Sequence, residues 1–185
     1  MHGMRPPRSA TPEPVDPESV SPSGPQRALK QAGLILLCLA WVALGLVGHD
    51  PWKAEDATTF GVAYGMAQSG DLVVPRLAGE PWLDRGPLVP ALAAGTMALF
   101  SPPLAPHNAA RLAAGLLLVA ILAFTSLASR ELNGRAFRWL PVLVLVGSIG
   151  MWERAHVLSG EIGLTTGVAL GLWGLALALR RPLAG

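Results

Sequence analysis

The chain has 185 residues, of which 51% are hydrophobic and 14% charged, with a formal net charge of +2. Soluble domains carry about 25% charged residues, so this balance excludes an ordinary water-soluble enzyme core. The single cysteine, Cys38, excludes an intrachain disulfide framework, and so small a net charge on so apolar a chain gives no basis for nucleic-acid binding.

Residues 1–28 hold seven prolines (Pro6, Pro7, Pro12, Pro14, Pro17, Pro22 and Pro25) among serines and charges. Such a segment buries too little apolar surface to offset its ordering entropy, which predicts a disordered cytoplasmic tail. The first apolar block, 29–48, lies too far from the start for a secretory signal peptide. It is long enough to cross a bilayer at about 1.5 Å per residue and reads as an uncleaved anchor. Blocks 109–128, 137–152 and 162–179 qualify by the same measure. The expectation is an all-α polytopic membrane protein, with about four transmembrane helices in a membrane domain covering 29–185. Block 87–100 is short for a span and is closed by Ser101-Pro102-Pro103. It reads as an interfacial helix with Pro87 in its first turn.

Loop charges orient the chain. With 87–100 left out of the bilayer and the amino end cytoplasmic, nine basic residues fall inside: Arg5, Arg8, Arg27, Lys30, Arg130, Arg135, Arg138, Arg180 and Arg181. Five fall outside: Lys53, Arg76, Arg85, Arg111 and Arg154. If 87–100 spans, the count becomes six inside against eight outside. The positive-inside rule therefore favours four spans, with 49–108 as a large outer loop.

That loop holds six of the twelve acidic residues: Asp50, Glu55, Asp56, Asp71, Glu80 and Asp84. Phe60, Ala63, Tyr64 and Ala67 recur at helical spacing after Glu55-Asp56, and Gly70 is a natural stop. This predicts a short amphipathic helix, the first of two interfacial helices in the loop. Its two carboxylates would sit at its amino end, where the helix dipole favours negative charge, and face water near the lipid head groups. Next come Ser69-Gly70-Asp71-Leu72-Val73-Val74-Pro75-Arg76, with 72–74 as a short extended run, and then Pro81-Trp82-Leu83-Asp84-Arg85-Gly86-Pro87-Leu88. Arg85 suits a phosphate, and equally a salt bridge to Asp84 or a snorkelling position. Glu161, at the outer end of the last span, reads either as a substrate-facing acid or as a helix-terminal charge. Glu153 and Arg154 read as an interfacial ion pair. His49, His107 and His156 lack metal-ligand spacing.

The order of these elements resembles the polyprenyl-phosphate-dependent GT-C glycosyltransferases, in the branch of aminoarabinose transferases and protein mannosyltransferases. The likeness rests on the acidic pair, the helix, "SGDLVVPRLAGEPWLDRGPL", the interfacial helix and Arg111-Leu112 entering the next span. It covers about residues 55–179, the family's amino-terminal part. Glu55 aligns with the family's catalytic aspartate and Asp56 with the glutamate after it, so the acidic pair is reversed. Arg85 aligns with the lysine of a Glu-Lys-Pro motif, Asp84 with its glutamate and Gly86 with its first proline. Glu161 aligns with a second family acid on the outer side.

The resemblance implies an inverting transferase that moves a sugar from a polyprenyl phosphate to an acceptor hydroxyl on a lipid, protein or glycan. Glu55 or Asp56 would be the catalytic base, and Arg85 and Glu161 would bind substrate. No cofactor and no metal ligands are expected among these residues, with a divalent metal left open, since some members of the family bind zinc through a residue at the position of Asp84. The expected partners are the lipid bilayer and the lipid-linked donor, the acceptor being undefined, and the expected location is the plasma (inner) membrane with 49–108 on the periplasmic side. Family enzymes are several times longer, which implies a fragment or a module of a larger transferase. The competing expectation is a non-catalytic membrane scaffold that retains the family's first module.

Overall fold

The computed structural model describes residues 24–46 and 53–180. The chain divides into two compact units, Met1–Ile35 and Leu36–Gly185. Of the first unit only 24–35 are described, as the opening of helix α1 (Gly24–Ala43). The helix therefore begins inside the segment expected to be a disordered tail, with Pro25 in its first turn, a position that needs no backbone donor. Residues 1–23 lie outside the described residues. Arg27, Lys30 and Gln31 lie in the first half of α1, so its uninterrupted apolar stretch starts only at Ala32.

The second unit is helical apart from one small hairpin. Helix α2 (Ala54–Ser69) forms where the spacing predicts it, and Gly70 ends it in a left-handed conformation (φ 73°), its N–H bonded to the Met66 carbonyl. Its buried face differs from the expected one. Asp56, Thr59, Val62, Ala63 and Met66 point inward, while Tyr64 is exposed. The expected face counted aromatic rings, whereas burial follows the stripe that meets the neighbouring helices. The 72–74 run is not a strand. Asp71 Oδ1 accepts the backbone N–H groups of Val73 and Val74 at 3.0 and 3.2 Å, which bends the chain there. The strands come next: β1 (Arg76–Leu77) pairs antiparallel with β2 (Glu80–Pro81) across Ala78-Gly79, both at positive φ (52° and 89°).

Helix α3 (Leu88–Phe100) spans about 20 Å at 1.5 Å per residue, too short to cross a bilayer. It buries Val89, Pro90, Ala93, Ala94 and Met97 and leaves Leu88 and Leu99 exposed. Helix α4 (Pro106–Asn133) is the hub of the unit. Ala109, Ala110, Ala113 and Ala114 are fully buried, because side chains of one carbon let backbones approach. Gly115 continues that surface: a Cβ there would lie 2.5 Å from Leu46 Cδ1.

The expected span 137–152 is not one helix. A 3-10 turn at Arg135–Phe137 leads to α5 (Leu140–Gly147), and α6 (Ile149–Arg154) follows after a break at Ser148. Ser148 is extended (φ −80°, ψ 130°), and its hydroxyl donates to the Leu145 carbonyl at 2.9 Å. The Trp152 indole closes the kink by donating to the Val146 carbonyl at 3.0 Å. Gly147-Ser148 is a weak helical dipeptide, and these two side-chain bonds offer the backbone an alternative to continuing the helix. Helix α7 (Gly160–Arg180) returns along α4. Among the described residues, two helices are long and apolar enough to cross a membrane, α4 and α7. A mostly helical chain with two such helices is weakly compatible with a membrane protein.

Candidate functional site

Helix α2 delivers two adjacent carboxylates, and neighbours on a helix point about 100° apart. Asp56 faces the core. Its Oδ2 takes a hydrogen bond from Arg111 Nη2 on α4, and its Oδ1 accepts the backbone N–H of Leu158 at 3.1 Å. Asp56 is 3% exposed and Arg111 1%. A charge removed from water needs such partners, and this one ties α2, α4 and the turn before α7 together. The expectation that both carboxylates face water is therefore corrected for Asp56: α2 is turned so that the Asp56 stripe meets Arg111.

Glu55 occupies the neighbouring face and stays partly open. Its Oε1 lies 2.9 Å from Arg85 Nη1, and the two side chains are 35% and 37% exposed. The contact is an ion pair that falls short of a directed hydrogen bond, and the Oε1 atom is itself shielded from solvent. Arg85 sits between the hairpin and α3, with its stem against α7. A Cβ on Gly160 would lie 2.6 Å from Arg85 Cδ, so only glycine leaves room for that stem. Gly163 does the same for α3, since a Cβ there would lie 2.7 Å from Val89 Cγ2. Of the readings the sequence left open for Arg85, the bridge to Asp84 gives way to one with Glu55.

Glu161 stands in the first turn of α7 and pairs with Arg154. The expected Glu153–Arg154 pair is thus replaced, because Glu153 accepts from Lys53 Nζ at 3.4 Å instead. The hydrogen bond to Glu161, and then its charge, push the Arg154 guanidinium above its ordinary range and keep it cationic. Among the described residues no three His, Cys, Asp or Glu side chains gather as a metal-binding group.

Two cavities meet at these charges. A groove of about 920 Å³ runs between the start of α3 and α7, with Asp84, Arg85 and Glu161 at one end and Leu164 and Val168 at the other. A smaller cavity of about 270 Å³ is polar, lined by Lys53, Glu55, Glu153, Arg154, Ser159 and Glu161. Glu161 borders both, while Arg85 borders the groove and Glu55 the polar cavity. The structure therefore brings Glu55, Arg85 and Glu161 to one junction and keeps Asp56 behind it.

Sequence reasoning passed over Arg111 as the partner of Asp56 and Gly160 as the seat of Arg85. A signal existed for Arg111: it is a lone charge close to the start of a long apolar helix, where an ion needs a specific partner. Gly160 carried none, because its role depends on a side chain distant in sequence. Comparison with family models, curated proteins and solved structures gives no match for this chain.

Proposed function

We propose that the chain is the amino-terminal module of a membrane glycosyltransferase of the GT-C kind, moving a sugar from a polyprenyl phosphate to a hydroxyl on a lipid, protein or glycan. The observation that carries this reading is the junction at Glu55 and Arg85, where a groove with a charged end and an apolar end adjoins a polar cavity. An amphiphile with an anionic head and a hydrocarbon tail matches the groove, and a hydroxyl compound matches the cavity.

In the transfer step Glu55 takes the proton of the acceptor hydroxyl. The acceptor oxygen bonds to the anomeric carbon of the sugar, and the bond from that carbon to the phosphate oxygen breaks. Its electron pair leaves with the polyprenyl phosphate, whose charge Arg85 stabilises as a guanidinium suited to phosphate oxygens. Support goes to Glu55 over Asp56 because both oxygens of Asp56 are already engaged. Glu161 orients the substrates from the wall that the two cavities share.

This mechanism goes with a four-crossing arrangement in which 29–48 and 137–152, the latter broken at Ser148, accompany α4 and α7, and 49–108 lies on the periplasmic side of the inner membrane. Support comes from the distribution of Lys and Arg. Cysteines at the exposed positions Ser69 and Ala136 test it: an impermeant thiol reagent should label the first in intact cells and spare the second. The reverse pattern would sink this topology. A second reading, a non-catalytic membrane scaffold, draws on Lys53–Glu153 and Arg154–Glu161, which brace the polar cavity as ties between segments.

The deciding experiment follows labelled sugar leaving its polyprenyl phosphate in membranes that contain the complete protein. Arg85→Ala should weaken donor binding and transfer, and Arg85→Lys should restore much of both. Transfer that ignores Arg85 leaves the scaffold reading in place.

A further inference from the structure

We propose that Arg85 sets the order of events at this site: it holds Glu55 Oε1 in an ion pair while the groove is empty and releases it when an anionic head group enters. The proposal rests on the donor reading above and adds to it a control on the base. Glu55 Oε1 is shielded from solvent, has no hydrogen-bond partner, and lies 2.9 Å from Arg85 Nη1. The guanidinium is thus the charge paired with this oxygen. The Arg85 stem rests on Gly160, whose missing side chain leaves it room, while the charged end lies where groove and cavity meet.

Charge balance makes Arg85 the group that responds. Among the described residues lining the groove it is the one cation, beside Asp84 and Glu161. Glu161 is already engaged by Arg154. An incoming phosphate meets two carboxylates and one guanidinium, so it binds by drawing Arg85 toward itself. The competition favours the phosphate. An ion pair this exposed and without directed hydrogen bonds is weak, whereas guanidinium and phosphate engage through two parallel bonds. Glu55 already lines the polar cavity, where an acceptor hydroxyl would arrive, and once Arg85 moves its Oε1 is released from the guanidinium. Asp56 cannot take its place, since Arg111 and Leu158 hold it in the core. An acceptor therefore meets a carboxylate released from its cation only after the donor is seated.

The test measures the reactivity of Glu55 directly. The purified full chain in detergent micelles is treated with a water-soluble carbodiimide and glycine ethyl ester, and the Glu55 adduct is quantified by mass spectrometry. Undecaprenyl phosphate is the probe, with uncharged undecaprenol and inorganic phosphate as separate arms, and retention of radiolabelled undecaprenyl phosphate reports binding independently. Undecaprenyl phosphate should raise the labelling rate about two- to fivefold, the ratio that corresponds to losing an exposed ion pair. Undecaprenol should leave it unchanged. A rise with inorganic phosphate as well would support the proposal and identify the head group alone as the trigger. Arg85→Ala should label fast from the start and ignore the lipid, while Arg85→Lys should keep the response. Binding with unchanged or reduced labelling overturns the order-setting role and leaves the donor reading standing. Absence of binding removes both, and a rise with undecaprenol shows that apolar filling rather than charge moves Arg85, which also overturns the proposal.

Discussion

The Asp56–Arg111 and Glu55–Arg85 junctions begin at consecutive residues of α2 and end in opposite environments. The first is almost wholly buried and has a backbone N–H as a third member. The second is about a third exposed, lacks directed hydrogen bonds and borders two cavities. One step along the helix separates a carboxylate held in the core from one that stays partly open beside a polar cavity. Chemically similar acids thus acquire different surroundings from the helical rotation between them.

The buried junction offers the largest effect. Asp56→Ala removes the carboxylate paired with the buried Arg111, and breaking a buried ion pair costs about 3–5 kcal/mol. Thermal unfolding in detergent should show that loss, and Asp56→Ala combined with Arg111→Met should recover part of it. A single variant as stable as the wild type would break the contrast between the two junctions.

Glu55→Gln should behave in the opposite way. Stability should be nearly unchanged, since exposed ion pairs contribute about 0–1 kcal/mol. Sugar transfer by the complete protein should fall about 10²–10⁴-fold, the usual consequence of losing a general base. Full transfer by this variant would end the assignment of Glu55. Gly160→Ala sharpens the comparison at smaller scale. Its methyl group displaces the Arg85 stem, so donor affinity should fall while the Asp56 junction, and with it most of the unfolding temperature, is retained.

The smallest effect is local and depends on pH. The backbone N–H groups of Val73 and Val74 hold the Asp71 carboxyl below its ordinary range. A depressed pKa contributes stability that is present above the unfolded value and lost as pH falls through the folded one. The bend at 71–74 should therefore loosen only below about pH 3.9. Amide exchange at Val73 and Val74, compared with exchange within α2, measures it, and Asp71→Ala should remove the pH dependence.

Local signals in the sequence carried the elements that depend on their own residues. Helical spacing and Gly70 gave α2, the proline-closed block gave α3, and long apolar runs gave α4 and α7, because periodicity and capping are read within a few turns of chain. The same signals misjudged 137–152, where an unbroken apolar run conceals the break made by Ser148 and Trp152. They also placed the start of α1 too late, since proline and charge do not prevent a first helical turn.

The candidate residues Glu55, Asp56, Arg85 and Glu161 were all legible as charges in an otherwise apolar chain. Their pairing was not. Glu55 and Arg85 are thirty positions apart, and Asp56 meets an arginine fifty-five positions away. Arg85 reaches Glu55 only because Gly160, on a third element, leaves it room. Sequence alone determined which groups can carry charge or end a helix, because those properties belong to single residues and short spacings. Tertiary structure alone decided which carboxylate is locked and which is open. That outcome depends on how α2 packs against α3 and α4, which turns Asp56 toward Arg111 and Glu55 toward Arg85.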